Sequence, residues 1–154
     1  MKYVDARITF AEVPDEITLC VNISNCPCHC EGCHSSYLAE DIGKPLDWGS
    51  LNALIYINAG ISCVALMGGD ADPKTIDRLA FHVKQIGLKS CWYSGRDALS
   101  EDVQLANFDY IKVGGWRKDC GPLNKKSTNQ RFYHVEDGKL VDWTWKFWRL
   151  EKDD

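Results

Sequence analysis

The chain predicts a single α/β domain over residues 1–154, an incomplete (βα) barrel of mainly parallel strands. Three observations point there. Short apolar runs and amphipathic stretches follow one another as strand, loop, helix, strand, three times over at α/β spacing. The unusual residues stand where each apolar run ends. Finally, 154 residues suffice for one core but fall short of the roughly 250 typical of a complete eight-stranded barrel.

The first strand is the apolar alternating run Ile17-Thr18-Leu19-Cys20-Val21-Asn22-Ile23, and it opens into a cysteine-rich loop, Ser24 to His34. From Cys33 to Lys44 the chain reads as loop or a short helix. Asp47 is placed to cap a helix reaching about Asn58, with Leu51, Leu54 and Ile55 on one face and Gly60 ending it. Ile61 to Met67 reads as a buried strand closed by Gly68-Gly69-Asp70. Asp72-Pro73 starts the next helix, which carries Ile76, Leu79, Ala80, Val83 and Ile86 at helical spacing and stops at Gly87. Leu88 to Tyr93 is a strand ending in Ser94-Gly95, and Ser100 caps a short helix to about Ala106. Phe108 to Val113 is the next strand, ending in Gly114-Gly115. After a loop to Gln130, Arg131 to Val135 is extended, Asp137-Gly138 signals a hairpin turn, and Lys139 to Trp148 alternates as a closing strand. Trp143, Trp145 and Phe147 would share one face of it, in the core or as a docking patch.

Composition narrows the function. An apolar fraction of 45% with 26% charged residues describes an ordinary globular protein. A net charge of −4, with no basic run longer than Lys125-Lys126, argues against nucleic acid as a main partner. No apolar run approaches the roughly 18 residues of a membrane span. The charged opening, Met1 to Arg7, does not read as a secretory signal. Eight cysteines in such a chain then imply metal or redox chemistry in a reducing cytoplasm rather than disulfides.

Four of those cysteines fall within the eight positions from Cys26 to Cys33, more than packing explains. Cysteines of a core are scattered one per element, as Cys20, Cys63 and Cys91 are here. Two readings compete. As Cys26-x3-Cys30-x2-Cys33, three thiolates hold a cubane iron–sulfur cluster with one iron left open. As Cys26, Cys28, Cys30 and Cys33 with His29 or His34, the loop wraps zinc. Zinc sites usually draw ligands from two separated pairs, and no second pair is present; Cys28 and Cys30 are also poorly spaced for one tetrahedron. The cluster reading is the better match. In parallel α/β sheets, ligand sites lie at the carboxyl ends of the strands, so the loops after residues 23, 67, 93 and 113 would share one mouth.

Cys26-x3-Cys30-x2-Cys33 after a first strand, followed by Gly68-Gly69-Asp70, resembles the radical S-adenosylmethionine (SAM) superfamily. The small size, Tyr110-Ile111-Lys112-Val113-Gly114, Gly121-Pro122-Leu123 and Ser127-Thr128-Asn129-Gln130-Arg131-Phe132-Tyr133 narrow this. They resemble the activating proteins of anaerobic (class III) ribonucleotide reductases. The resemblance implies that Cys26, Cys30 and Cys33 hold a [4Fe–4S] cluster whose open iron chelates SAM. An electron from flavodoxin or ferredoxin then cleaves SAM to methionine and a 5′-deoxyadenosyl radical, which takes a hydrogen atom from one glycine of the reductase. Gly68, Gly69 and Asp70 would bind SAM, with Asp70 accepting from its ammonium. Ser94 would hydrogen-bond its carboxylate or ribose, and Lys112 would pair with the carboxylate or with Asp70. Cys28 is an extra thiol inside the motif, and Gly32 stands where many superfamily members carry an aromatic residue, although these activating proteins often have Gly there. His34 reads as a surface residue and Cys120 is unassigned, while Asn129, Gln130 and Arg131, without chemistry of their own, would satisfy backbone groups near the mouth or contact the reductase. The alternatives are a radical SAM enzyme acting on a small molecule or another glycyl-radical enzyme, and a zinc-stabilised, non-catalytic binding module.

Overall fold

The computed structural model describes residues 1–30, 32 and 36–148. Among them, β1 (Lys2–Thr9), β2 (Thr18–Ile23), β3 (Lys44–Pro45), β4 (Cys63–Met67), β5 (Lys89–Tyr93), β6 (Tyr110–Val113), β7 (Arg131–Glu136) and β8 (Lys139–Asp142) form one sheet. Its order is β3-β1-β2-β4-β5-β6-β7-β8. Only β2, β4, β5 and β6 run parallel to one another; β1 and β3 on one flank and β7 and β8 on the other pair antiparallel. Two α-helices accompany the sheet, α1 (Trp48–Ile57) and α2 (Pro73–Gln85).

This corrects the expected incomplete (βα) barrel: the domain is a mixed, mostly β sheet with two helices. Such a barrel repeats a helix between successive strands, and here the third connection has none. Ser100 Oγ accepts from the Asp102 N–H (3.1 Å) in a local turn, and Asp77 Oδ1 on α2 takes the Gln104 N–H (2.8 Å) and Asn107 Nδ2 (3.0 Å). The segment is tied down as a loop with one 3-10 turn, Leu105–Asn107. The closing strand is also shorter than expected, because β8 ends at Asp142 and Thr144–Phe147 is a 3-10 turn. There Thr144 Oγ1 accepts from the Phe132 N–H (2.9 Å), a bond that takes the chain out of strand pairing.

The parallel strands are buried on both faces, which is why they read as nearly continuous apolar runs. On one face Leu19, Val21, Val64, Leu66, Trp92 and Ile111 meet Leu51 of α1 and Ile76, Leu79, Ala80 and Val83 of α2. Each fully buried aliphatic side chain there contributes roughly 1.5–3 kcal/mol. On the other face register aligns Cys20, Ala65, Cys91 and Tyr110 across four strands. Phe132 of β7 extends that face, and Val13, Leu123 and Phe147 pack on it in place of an α-helix. Cys20, Cys63 and Cys91 are thus buried core thiols, as expected. Trp143 and Phe147 pack against this second core, whereas Trp145 is 57% exposed, so the three residues share no single face.

Asp47 and Asp72 act as the sequence suggests. Asp47 Oδ1 accepts from the Ser50 N–H (2.8 Å) and Ser50 Oγ returns the contact to the Asp47 N–H (2.9 Å), a capping box for α1. Asp72 Oδ1 accepts from the Thr75 N–H (3.2 Å) ahead of Pro73 at the start of α2. No helix among the described residues is long and apolar enough to cross a membrane.

Candidate functional site

The carboxyl ends of β2, β4, β5 and β6 surround a cavity of about 220 Å³. Cys26, Cys28 and Cys30 enter it from the loop after β2, Gly68 and Asp70 from the loop after β4, and Lys112 from β6. Ile23, Leu38 and Met67 give it apolar wall. Cys26 is anchored by its N–H to the Leu38 carbonyl (2.8 Å), and Asn25 and His29 adopt positive φ as the chain doubles back. Cys33 and His34 lie outside the described residues. All seven described cysteines are free, and no three described Cys, His, Asp or Glu residues stand close enough together to hold a metal ion.

Asp70 is the polar hub of this mouth. It is 7% exposed; its Oδ1 accepts from Ser94 Oγ (2.5 Å) and its Oδ2 from the Gly95 N–H (2.9 Å), with Cys28 Sγ at 3.7 Å. Ser94 is 1% exposed and also accepts from the Arg96 N–H (3.1 Å), so its hydroxyl supports Asp70 from behind and does not face the cavity. Lys112 Nζ donates to the carbonyls of Ser94 (2.9 Å) and Gly114 (3.0 Å) and sits 5.3 Å from the Tyr93 ring centroid. Burial pushes its pKa down, and among the neighbouring charges Asp70 opposes that most. An ammonium has three donors, so one remains for a ligand.

The two glycines of Gly68-Gly69 part company. Gly68 faces the cavity, but its N–H donates to the Tyr93 carbonyl (3.0 Å) and its carbonyl accepts from Trp92 Nε1 (2.7 Å). It supplies close approach, at φ +110°, rather than polar groups. Gly69 lines a separate cleft beside Met1 and Asp72, and a methyl on it would come 2.5 Å from Ile76 Cδ1. Its smallness serves the packing of α2.

The Cys28 thiol is pushed up to about 12, first by burial and then by the Asp70 carboxylate and Cys26. Gly95 and Gly115 seat the sulfurs. A methyl on Gly95 would lie 2.9 Å from Cys28 Sγ, and one on Gly115 would lie 3.0 Å from Cys30 Sγ. Gly32, at φ +70°, abuts the Trp116 indole, with 3.3 Å between an added Cβ and Nε1. A side chain at position 32 would meet that ring and be strained at this left-handed φ, so glycine suits the position.

The described donors fit an iron–sulfur centre: Cys26 and Cys30 bring soft sulfur ligands to a partly apolar cavity, and the glycine at 115 keeps the space beside Cys30 clear. Gly95, Gly115, Trp116 and Gln130 also line this cavity, although the sequence assigns them no chemistry. The glycine doublet at 114–115 was the available signal for Gly115, and the Thr128-Asn129-Gln130-Arg131 run was the signal for Gln130. Asn129 Nδ2 donates to the Gly115 carbonyl (3.0 Å), Thr128 Oγ1 to the Gly121 carbonyl (3.4 Å) and Ser127 Oγ to the Cys120 carbonyl (2.6 Å). The 127–129 segment therefore clamps the loop after β6. No family model, curated protein or solved structure matches the chain.

Proposed function

We propose that the chain is a radical SAM activase that installs a glycyl radical in an anaerobic (class III) ribonucleotide reductase. The observation that carries this reading is the meeting of Cys26, Cys30, Asp70 and Lys112 in one cavity at the carboxyl ends of the parallel strands. Cys26 and Cys30, with Cys33, would hold a [4Fe–4S] cluster. When bound, that group would supply the electron for reductive cleavage of SAM, the chemistry that makes hydrogen-atom abstraction from a glycine possible.

The protein's own residues bind and orient. Asp70 has its carboxylate fixed by Ser94 and Gly95, yet a carboxylate has about four acceptor positions, so lone pairs remain for the SAM ammonium. Lys112, anchored by two carbonyls, offers its remaining N–H and its charge to the SAM carboxylate. Gly68 lets the ligand approach the backbone of the β4 loop, and Ser94 acts through Asp70. Cys28 is not among the proposed ligands. A low-potential flavodoxin or ferredoxin in the cytoplasm would supply the electron.

The test is to reconstitute the protein anaerobically, reduce it and add SAM with a purified class III reductase. Deoxyadenosine and a glycyl radical signal on the reductase are expected. Turnover only with a small molecule or another glycyl-radical enzyme would assign a different substrate. Zinc without iron or sulfide in anaerobically purified protein would end the enzyme reading in favour of a binding module.

A further inference from the structure

Gln130 stands just before β7, on the cavity wall beyond the loop after β6. Its main chain is fixed: the N–H donates to Thr128 Oγ1 (3.0 Å), and its Cα packs where a methyl on Gly114 would come within 2.9 Å. Its carboxamide makes no hydrogen bond among the described residues. Other polar side chains of this wall make hydrogen bonds within the protein. Asn22 donates to Asp5, Tyr93 to the Glu12 carbonyl, Lys112 to two carbonyls, and Asp70 accepts from Ser94 and Gly95.

A carboxamide presents a donor and an acceptor side by side, the complement of a peptide group's C=O and N–H. Position decides which ligand meets it. In the sheet β7 lies outside β6, so Gln130 stands three strands along from the β4 loop that carries Gly68 and Asp70, and next to Lys112, whose ammonium bonds the Gly114 carbonyl. An amino-acid moiety whose ammonium meets Asp70 and whose carboxylate meets Lys112 lies between β4 and β6, and Gln130 stands beyond it. A glycine offers no side chain to recognise, so a protein that selects one must bond the main chain around it. We infer that Gln130 holds the peptide backbone of the protein substrate beside its reacting glycine through a pair of hydrogen bonds. This rests on the activase reading of the site.

The experiment uses reconstituted holoprotein with purified class III reductase as the probe, comparing wild type with Gln130→Ala and Gln130→Glu. Alanine keeps the contact with Gly114, and glutamate keeps the volume while losing the donor. Gln130→Ala is expected to raise KM for the reductase about tenfold, the loss expected for two net hydrogen bonds, and Gln130→Glu, which keeps the acceptor, about threefold, each with kcat within about twofold. SAM affinity by equilibrium dialysis, and deoxyadenosine release without reductase, should be unchanged. An unchanged KM overturns the inference. Weaker SAM binding at constant KM overturns it too and assigns the carboxamide to the adenine edge, which it also complements. Failure of the wild type itself to bind SAM sinks the activase reading, and this inference with it.

Discussion

Replacing Asp70 with asparagine tests whether the carboxylate is built into the fold before any ligand arrives. Asp70 is 7% exposed and accepts from Ser94 Oγ at 2.5 Å and from the Gly95 N–H at 2.9 Å. Hydrogen bonds to a charged group contribute about 1.5–3 kcal/mol each. Asparagine keeps one acceptor oxygen, but its NH2 group then faces a donor, and the buried Lys112 ammonium loses a compensating charge. The sum is a loss of about 3 kcal/mol, or a fall in Tm of roughly 6–12 °C for a domain of this size. Ser94→Ala removes only one of the bonds and should lose about 1–2 kcal/mol. The double variant should lose less than the sum of the two single variants, since both remove the same contact. Urea and thermal unfolding of the metal-free protein at pH 7 under reducing conditions gives all three values. Stability of Asp70→Asn within about 0.5 kcal/mol of wild type would refute the reasoning and leave the carboxylate as a group held free for a ligand.

Three further outcomes are expected. Cys26→Ala, Cys30→Ala and Cys33→Ala should each abolish iron and sulfide uptake, while Cys28→Ala should retain it; metal and sulfide analysis after anaerobic reconstitution checks this, and loss in Cys28→Ala alone would reverse the ligand assignment. Gly115→Ala places a methyl 3.0 Å from Cys30 Sγ and should lower iron content several-fold, with an overpacking loss of about 1–3 kcal/mol in the metal-free protein. Glu16 has a side chain only 5% exposed. Burial pushes its pKa up, but hydrogen bonds from Lys89 (2.7 Å), Ser62 (2.5 Å) and Tyr110 (2.9 Å) outweigh that and hold it below the usual carboxylate range. A depressed carboxylate stabilises the fold above its unfolded pKa and loses that contribution as pH falls through the folded value. Glu16→Gln should therefore lose about 3 kcal/mol at pH 7, with the gap to wild type closing below about pH 4 in urea titrations; a gap independent of pH would contradict the assignment.

Much of the inner sheet was legible because its signals are local. Buried parallel strands read as apolar runs, and Asp72-Pro73 sets the start of α2 within one residue. The flanks were not. β1 carries Lys2, Asp5 and Arg7 and is only half-buried, so its alternation is masked by charge; its pairing with β2 spans a turn the sequence does not announce. The overall architecture depends on such pairings, which is how three helical connections were expected where the described residues hold two α-helices. At the site, the sequence placed Cys26, Cys30, Asp70 and Lys112 at strand ends, and the sheet gathers them. It did not reveal that Ser94 is spent on Asp70, that Gly69 serves Ile76, or that Gln130 reaches the same cavity, because these facts arise between segments far apart in the chain.

The most direct test of the central claim is electron paramagnetic resonance of the anaerobically reconstituted, reduced protein before and after SAM is added. A [4Fe–4S] signal whose g-values shift on addition is the predicted result, since the cofactor would occupy an iron that Cys26, Cys30 and Cys33 leave open. A cluster signal that SAM leaves unaltered, or no iron–sulfur signal at all, would contradict it.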